Sequence, residues 1–214
     1  MDIIFDEGYS FGLGIFETIS VVDNHLVLLD YHLDRLSEGS NFLGINLNVT
    51  KEKIQDYITN NPMENGVLKI IASEKNTIFQ CRENNYTDDK YKKGFTIKIS
   101  SVVRNESSPF TYIKSLNYGD NIIEKRKAAK KGYDEPVFLN MKGQLTEGAT
   151  TNIFFVNNNQ IVTPKLSCGL LNGTIRKYIL DKYDVVEKYI YPYEVSTFDE
   201  MFVTNSLMGI MPVY

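Results

Sequence analysis

The stretch IFETISVVDNHLVLLDYHLDRLSEGSNFLGI (15–45) changes period halfway along, and that change constrains the fold more than any other feature. Residues 15–22 and 25–29 are β-type runs. The Asp23-Asn24 pair between them suits a tight hairpin turn. From Leu29 the apolar positions take helical spacing, at Leu29, Leu33, Leu36 and then Phe42, with Asp30 as the expected N-cap. A hairpin that runs into an amphipathic helix calls for mixed layers of sheet and helix.

The same alternation continues along the chain. A short helix is expected over 50–59, capped by Thr50, followed by strands near 67–73, 77–82 and 95–103. The polar, proline-containing NESSPFTYIK (105–114) then reads as a connector. It sets the expected organisation as an N-terminal α/β domain (1–106), a linker carrying Lys114 (107–115) and a C-terminal α/β domain (116–214). In the second half, NYGDNIIEKRKAAKKGYD reads as a helix closed by Gly132 with a basic last turn, and GTIRKYILDKY as a helix starting just after Gly173. PVFLN, TNIFFV, QIVTP, DVVEKYI and EMFVT are expected strands, with turns at MKGQ and NNN. The fold class is therefore mixed α/β, with antiparallel or mixed sheets.

Composition removes several functions. With 43% hydrophobic and 23% charged residues, the 214-residue chain can bury a core, as one large domain or two small ones. A net charge of −4 gives no general attraction to nucleic acid or to an anionic membrane, so an anionic ligand must be held by a few placed cations, which makes the five arginines worth locating. Cys81, Cys168, His25 and His32 have no metal-ligand spacing, so no metal is expected. MDIIFDEGYSF has neither a basic leader nor a long apolar core, and no later run reaches membrane-spanning length. The expectation is a cytoplasmic protein.

Four segments can carry chemistry, and each also has a plain structural reading. Lys114 in YIKSLNY is a covalent amine if it is desolvated, and otherwise a surface charge. Glu147 and Asn152 in LTEGATTNIFFV are pocket residues or parts of a polar hairpin turn. Gly173 and Thr174 in CGLLNGTIRKYIL form a phosphate cup at a helix start, or an ordinary cap. Arg35 in YHLDRL is an anion-binding group, or a guanidinium snorkelling from a half-buried helix.

Taken in order, GLGIFETISVVDNHLVLLDYHLDRL, YIKSLNY, LTEGATTNIFFV, GLLNGTIRKYIL and DEMFVTNSLMGIMPV resemble the signature segments of the class IV (fold type IV) pyridoxal-phosphate enzymes. That family includes branched-chain and D-amino-acid aminotransferases and aminodeoxychorismate lyase. The resemblance runs from about Gly12 to the C-terminus and implies two small α/β domains around pyridoxal 5'-phosphate. It implies that Lys114 bonds to the cofactor aldehyde, that Glu147 pairs with the pyridine nitrogen, and that Arg35 with the Gly173-Thr174-Ile175 helix start binds the phosphate. Ser206 is matched to a further phosphate hydroxyl, Asn152 to the asparagine closing the E-G-x-x-x-N turn, and Tyr118 to a group near the cofactor's phenolic oxygen. The chain begins close to FDEGYSFGLGIF, which implies a smaller first sheet than the family's, and Leu13 stands where relatives carry an acid.

For the reaction, the resemblance is closest to the lyase branch. There 4-amino-4-deoxychorismate loses pyruvate to give 4-aminobenzoate for folate biosynthesis, with Lys114 moving the proton. Arg104 is expected at a substrate carboxylate, and Phe16 and Asn205 near the substrate. A class IV aminotransferase is the alternative, and a non-catalytic cofactor-binding member the second. The partners implied are a small amino-acid-like substrate and a second copy of the chain as a homodimer, with no nucleic acid and no membrane.

Overall fold

The computed structural model describes residues 3–214. The chain forms two compact units, one built from the chain up to Asn85 together with Ile113–Asn117, the other from Tyr86–Tyr112 and Tyr118–Tyr214.

In the first unit a short helix α1 (Glu7–Phe11) leads into β1 (Gly14–Val22), β2 (His25–Leu26), α2 (Leu29–Leu43), α3 (Lys51–Asn60), β3 (Asn65–Ser73) and β4 (Thr77–Glu83). The strands form an antiparallel sheet in the order β2-β1-β3-β4. Asp23 and Asn24 both have positive φ, 48° and 63°, which gives the hairpin the twist that its strands need. Alternation turns Ile15, Glu17, Ile19 and Val21 to one face of β1, and Phe16, Thr18 and Ser20 to the other. Leu36, Ile54 and Ile58 pack with Ile15, Ile19, Leu68 and Ile70 in one core. Burial of Ile54 and Ile58, four apart on α3, contributes roughly 1.5–3 kcal/mol each. The Thr50 hydroxyl accepts the Lys53 N–H at 3.3 Å and caps that helix.

Asp30 is not the cap of α2. The helix starts one residue earlier, behind Leu28 in the left-handed region at φ 52°, and no side chain caps it. The return strand ends at Leu26, so the chain must reverse over two residues before Leu29 can bury its side chain. Asp30 is left in the exposed first turn, paired with Lys51 at 2.8 Å.

The second unit contains α4 (Asp88–Lys93), β5 (Ile97–Arg104), α5 (Gly119–Ala129), β6 (Glu135–Asn140), β7 (Leu145–Gly148), β8 (Asn152–Asn157), β9 (Gln160–Pro164), α6 (Thr174–Lys182), β10 (Val185–Lys188), β11 (Glu200–Asn205) and β12 (Gly209–Pro212). They form a three-stranded sheet β5-β6-β7 and a five-stranded sheet β10-β9-β8-β11-β12, which share a core of Val137, Leu145, Ile153, Phe155, Val203 and Met211. β5 pairs in parallel with β6, which draws it into this unit, although the linker position expected from sequence sets it in residues 1–106. Glu147 and Gly148, expected at a turn, instead end the strand Leu145–Gly148, which is buried at all four positions because pairing to β6 satisfies its backbone. The turn is confined to Ala149–Thr151. Among the described residues no helix is long and apolar enough to cross a membrane.

Candidate functional site

Lys114 is held by backbone pairing. Residues 114–116 add to the free edge of β1: the Phe16 N–H donates to the Lys114 carbonyl at 3.0 Å, and the Leu116 N–H to the Gly14 carbonyl at 2.8 Å. The Ile15–Ser115 bridge is antiparallel, so Lys114 shares a sheet face with Phe16, and its Nζ lies 4.3 Å from the centroid of that ring. A second ammonium reaches the same ring. Lys69, opposite Thr18 in the β1–β3 register, has its Nζ 5.2 Å from the Phe16 centroid. Lys69 escapes sequence reasoning because only the strand register joins a residue of β3 to the Lys114 face.

On the other face of β1, Glu17 is 1% exposed and gathers three donors. Arg35 Nε donates to Oε1 and Nη2 to Oε2, each at 2.7 Å, and His32 Nδ1 lies 2.6 Å from Oε2. His32 and Arg35 are three apart on α2 and so face the sheet together. Burial favours the neutral Glu17 acid, but the Arg35 charge and the hydrogen bonds of both partners prevail and hold its pKa low, at about 2. Burial lowers the His32 pKa, against the pull of Glu17 and with help from the Arg35 and Lys114 charges, so the ring is neutral and gives its Nδ1 proton to Glu17. His32 Nε2 is buried without a hydrogen bond among the described residues.

In the second unit, Glu147 sits on β7, and its Oε2 accepts the Leu171 N–H at 3.0 Å. Arg104, expected at the substrate carboxylate, has a largely buried guanidinium. Nη2 lies 3.2 Å from Glu147 Oε1 without hydrogen-bond alignment, Nη1 donates to Asn121 Oδ1 at 3.1 Å, and the group stacks 3.9 Å from the Phe138 ring centroid. Tyr118 and Asn121 both donate to the Ala149 carbonyl, at 2.7 and 2.6 Å. Burial, then the Glu147 and Glu135 charges, push the Tyr118 phenol well above its ordinary pKa, so it stays a donor.

The turn after Glu147 is braced from below by Glu135, which is fully buried. Its carboxylate pairs with Lys125 and accepts the Thr150 N–H at 2.6 Å and the Thr151 hydroxyl at 3.1 Å. The one sequence signal for this brace is an acid at the head of an otherwise apolar strand, which cannot stay charged without partners. Asn152 links the turn to α6: its Nδ2 donates to the Leu171 carbonyl at 2.8 Å, and its Oδ1 stands where a Cβ on Gly173 would have to go. Gly173 has φ −63°, so the requirement for glycine is close approach rather than backbone strain. No side chain caps α6, and the first N–H groups, at Thr174 and Ile175, have no acceptor within the helix. Arg176, 2% exposed, locks the helix start through Asn172 Oδ1 at 2.9 Å, the Pro164 carbonyl at 3.1 Å and an ion pair with Glu187. Asn205, expected near the substrate, uses its Oδ1 to accept the Leu207 and Met208 N–H groups at 2.9 and 3.0 Å, closing the β11–β12 turn that carries Ser206. Thr204, opposite Asn152 in the β11–β8 register, has a buried hydroxyl with no partner among the described residues.

This chain is similar in sequence or fold to several known proteins. It is 28% identical to the aminodeoxychorismate lyase of Bacillus subtilis, over 97% of this chain and 79% of the relative, and 26% identical to the D-alanine aminotransferase of Bacillus licheniformis, over 97% and 80%. The crystal structure of 4-amino-4-deoxychorismate lyase from Pseudomonas aeruginosa has the same fold, with a TM-score of 0.87 over 100% of this chain and 86% of that one at 23% identity. The family model described as amino-transferase class IV matches residues 14–214. The chain thus belongs to the class IV aminotransferase family of enzymes, whose cofactor is pyridoxal phosphate.

Proposed function

We propose that the protein is a pyridoxal-phosphate-dependent lyase that releases pyruvate from 4-amino-4-deoxychorismate and leaves 4-aminobenzoate. The observation that carries this reading is the pair of ammonium groups, Lys114 and Lys69, over one Phe16 ring. A substrate amine that also bears two carboxylates suits a face where one lysine does the chemistry and a second cation stands beside it. The similarity to the Bacillus subtilis lyase supports the same choice.

The residues present fit the cofactor. The start of α6, which Gly173 lets Asn152 approach closely, offers uncapped N–H groups, the Thr204 hydroxyl is buried without a partner among the described residues, and Glu147 supplies a carboxylate held by a backbone donor. In this reading Arg35, Thr174, the Gly173–Ile175 backbone and Ser206 would hold the phosphate, Asn152 braces the start of α6, and Glu147 would pair with the ring nitrogen. Tyr118 lies by the phenolic oxygen, and Phe16 and Asn205 border the substrate. Pyridoxal phosphate, when bound, withdraws electrons from the carbon that carries the substrate amine. Lys114 Nζ takes the proton from that carbon. The C–O bond to the enolpyruvyl group breaks as the ring becomes aromatic, and the leaving enolate takes up at its methylene carbon the proton that Lys114 holds, which gives pyruvate. Arg104, beside Glu147 and hydrogen-bonded to Asn121, supports the acid, and Lys69 is the group for a substrate carboxylate. The reading includes a homodimer in the cytoplasm.

The decisive test supplies 4-amino-4-deoxychorismate to purified enzyme and follows pyruvate and 4-aminobenzoate, which should form in equal amounts. The similarity to D-alanine aminotransferase favours a second reading. Amino-group exchange between D-amino acids and keto acids, with no pyruvate from 4-amino-4-deoxychorismate, establishes that one instead. Lys69→Met should raise KM for the dicarboxylate by about 10–100-fold with kcat little changed, the loss of one charge-assisted contact made equally in ground and transition states. An unchanged KM removes Lys69 from the site.

A further inference from the structure

We propose that Glu17 is a positioning residue that aims Arg35 at the cofactor phosphate. This rests on the reading of Arg35 as a phosphate ligand. The geometry is two-pronged. Nε and Nη2 of Arg35 both end on the Glu17 carboxylate at 2.7 Å, which fixes the plane of the guanidinium, and Nη1 is the donor left outside that pair. An arginine side chain alone has several rotamers of similar energy, and a bidentate carboxylate selects one of them. Glu17 is itself immovable. It lies on β1 between Phe16 and Thr18, is 1% exposed, and takes a third hydrogen bond from the neutral His32 ring. The carboxylate thus receives three N–H donors through two oxygens, with His32 and Arg35 Nη2 sharing Oε2.

Two effects of removing Glu17 oppose each other. Deleting a negative charge near a phosphate-binding arginine favours phosphate. Against this, a glutamine in the same place offers one oxygen and an NH2 group to three donors, so at least one donor meets another and Arg35 is displaced from its plane. If His32 moves its proton to Nε2, the collision shifts to a buried atom that has no acceptor among the described residues. Positioning therefore dominates. Aspartate separates the two effects, because it keeps the charge and withdraws it from Arg35 by one methylene.

The experiment measures equilibrium binding of pyridoxal phosphate and of pyridoxal, which lacks the phosphate, to cofactor-free protein by absorbance or fluorescence titration, so no turnover is involved. Glu17→Gln and Glu17→Asp should each weaken pyridoxal phosphate binding by about tenfold, the size seen when the outer partner of a binding group is removed, and leave pyridoxal binding unchanged. In an Arg35→Met background the Glu17 substitutions should cause no further loss. Intact pyridoxal binding also certifies that each variant is folded. If Glu17→Asp binds pyridoxal phosphate like the wild type, or if both ligands weaken in parallel, the positioning role is wrong. If Arg35→Met keeps full preference for the phosphate, the assignment of Arg35 fails and this inference with it. If wild-type protein binds neither ligand, the cofactor reading itself fails.

Discussion

Lys114→Ala protein will still fold, yet borohydride will no longer fix pyridoxal phosphate to it, and turnover will fall by at least about 10³–10⁴-fold, the scale of a lost proton-transfer group compounded by loss of covalent attachment. The fold survives because residue 114 is held through its backbone, by the Phe16 N–H on its carbonyl at 3.0 Å, and alanine keeps that bond. The side chain is half-buried over an aromatic face, so truncation forfeits a cation–π contact of about 0.5–1 kcal/mol and creates no deep cavity. The loss is chemical. Mass spectrometry of borohydride-treated protein is the direct measurement: the wild type should gain one reduced cofactor on the peptide carrying Lys114, and the variant none. A wild-type protein that gains no such mass would instead support a binding protein without catalysis.

How far these features could be read from the chain depends on the range of the interactions. Local rules worked where the interaction is local. Two positive-φ residues at Asp23 and Asn24 make the hairpin, Thr50 caps α3 through a residue three along, and α6 starts directly after Gly173. The same local rule failed at Asp30, where the length of the return strand, invisible in the residue itself, sets the helix start. The pairings that shape the candidate site join residues far apart in sequence. Glu17 meets Arg35 across 18 residues, Glu135 meets Thr150 across 15, and Arg104 meets Glu147 by packing of β5 and β7 about β6. No periodicity encodes them. What could have prompted the question is charge in an apolar setting: Glu17 within IFETISVV and Glu135 ahead of PVFLN are acids that a buried strand cannot keep ionised without partners. Arg104 illustrates the reverse. Its position upstream of Lys114 suggests a substrate contact, whereas parallel pairing of β5 with β6 brings it to Phe138 and Glu147.

Gly148→Ala tests how tightly the turn beside Glu147 is built, and it should destabilise the second unit by about 2–4 kcal/mol. A Cβ at residue 148 would stand 2.6 Å from Glu135 Oε1 and collide with the Thr151 hydroxyl. Neither atom can retreat cheaply. Glu135 is fully buried and committed to Lys125, Thr150 and Thr151, and Thr151 is 5% exposed. To admit the methyl, either the Glu135 carboxylate gives up its hydrogen bonds while still buried, or the turn lifts off β6. Such a change should lower the melting midpoint by about 4–16 °C, at 2–4 °C per kcal/mol for a chain of this size, measurable by circular dichroism. Thr151→Ala in the same protein removes one of the two colliding atoms and should recover part of the loss, which distinguishes local crowding from a general fault in folding. A midpoint within a degree of the wild type would mean that the turn is loose. Glu147, the residue next to the substituted glycine, would then keep its place through partners such as the Leu171 N–H and Arg104, and the brace beneath the turn would carry no part of the site's geometry.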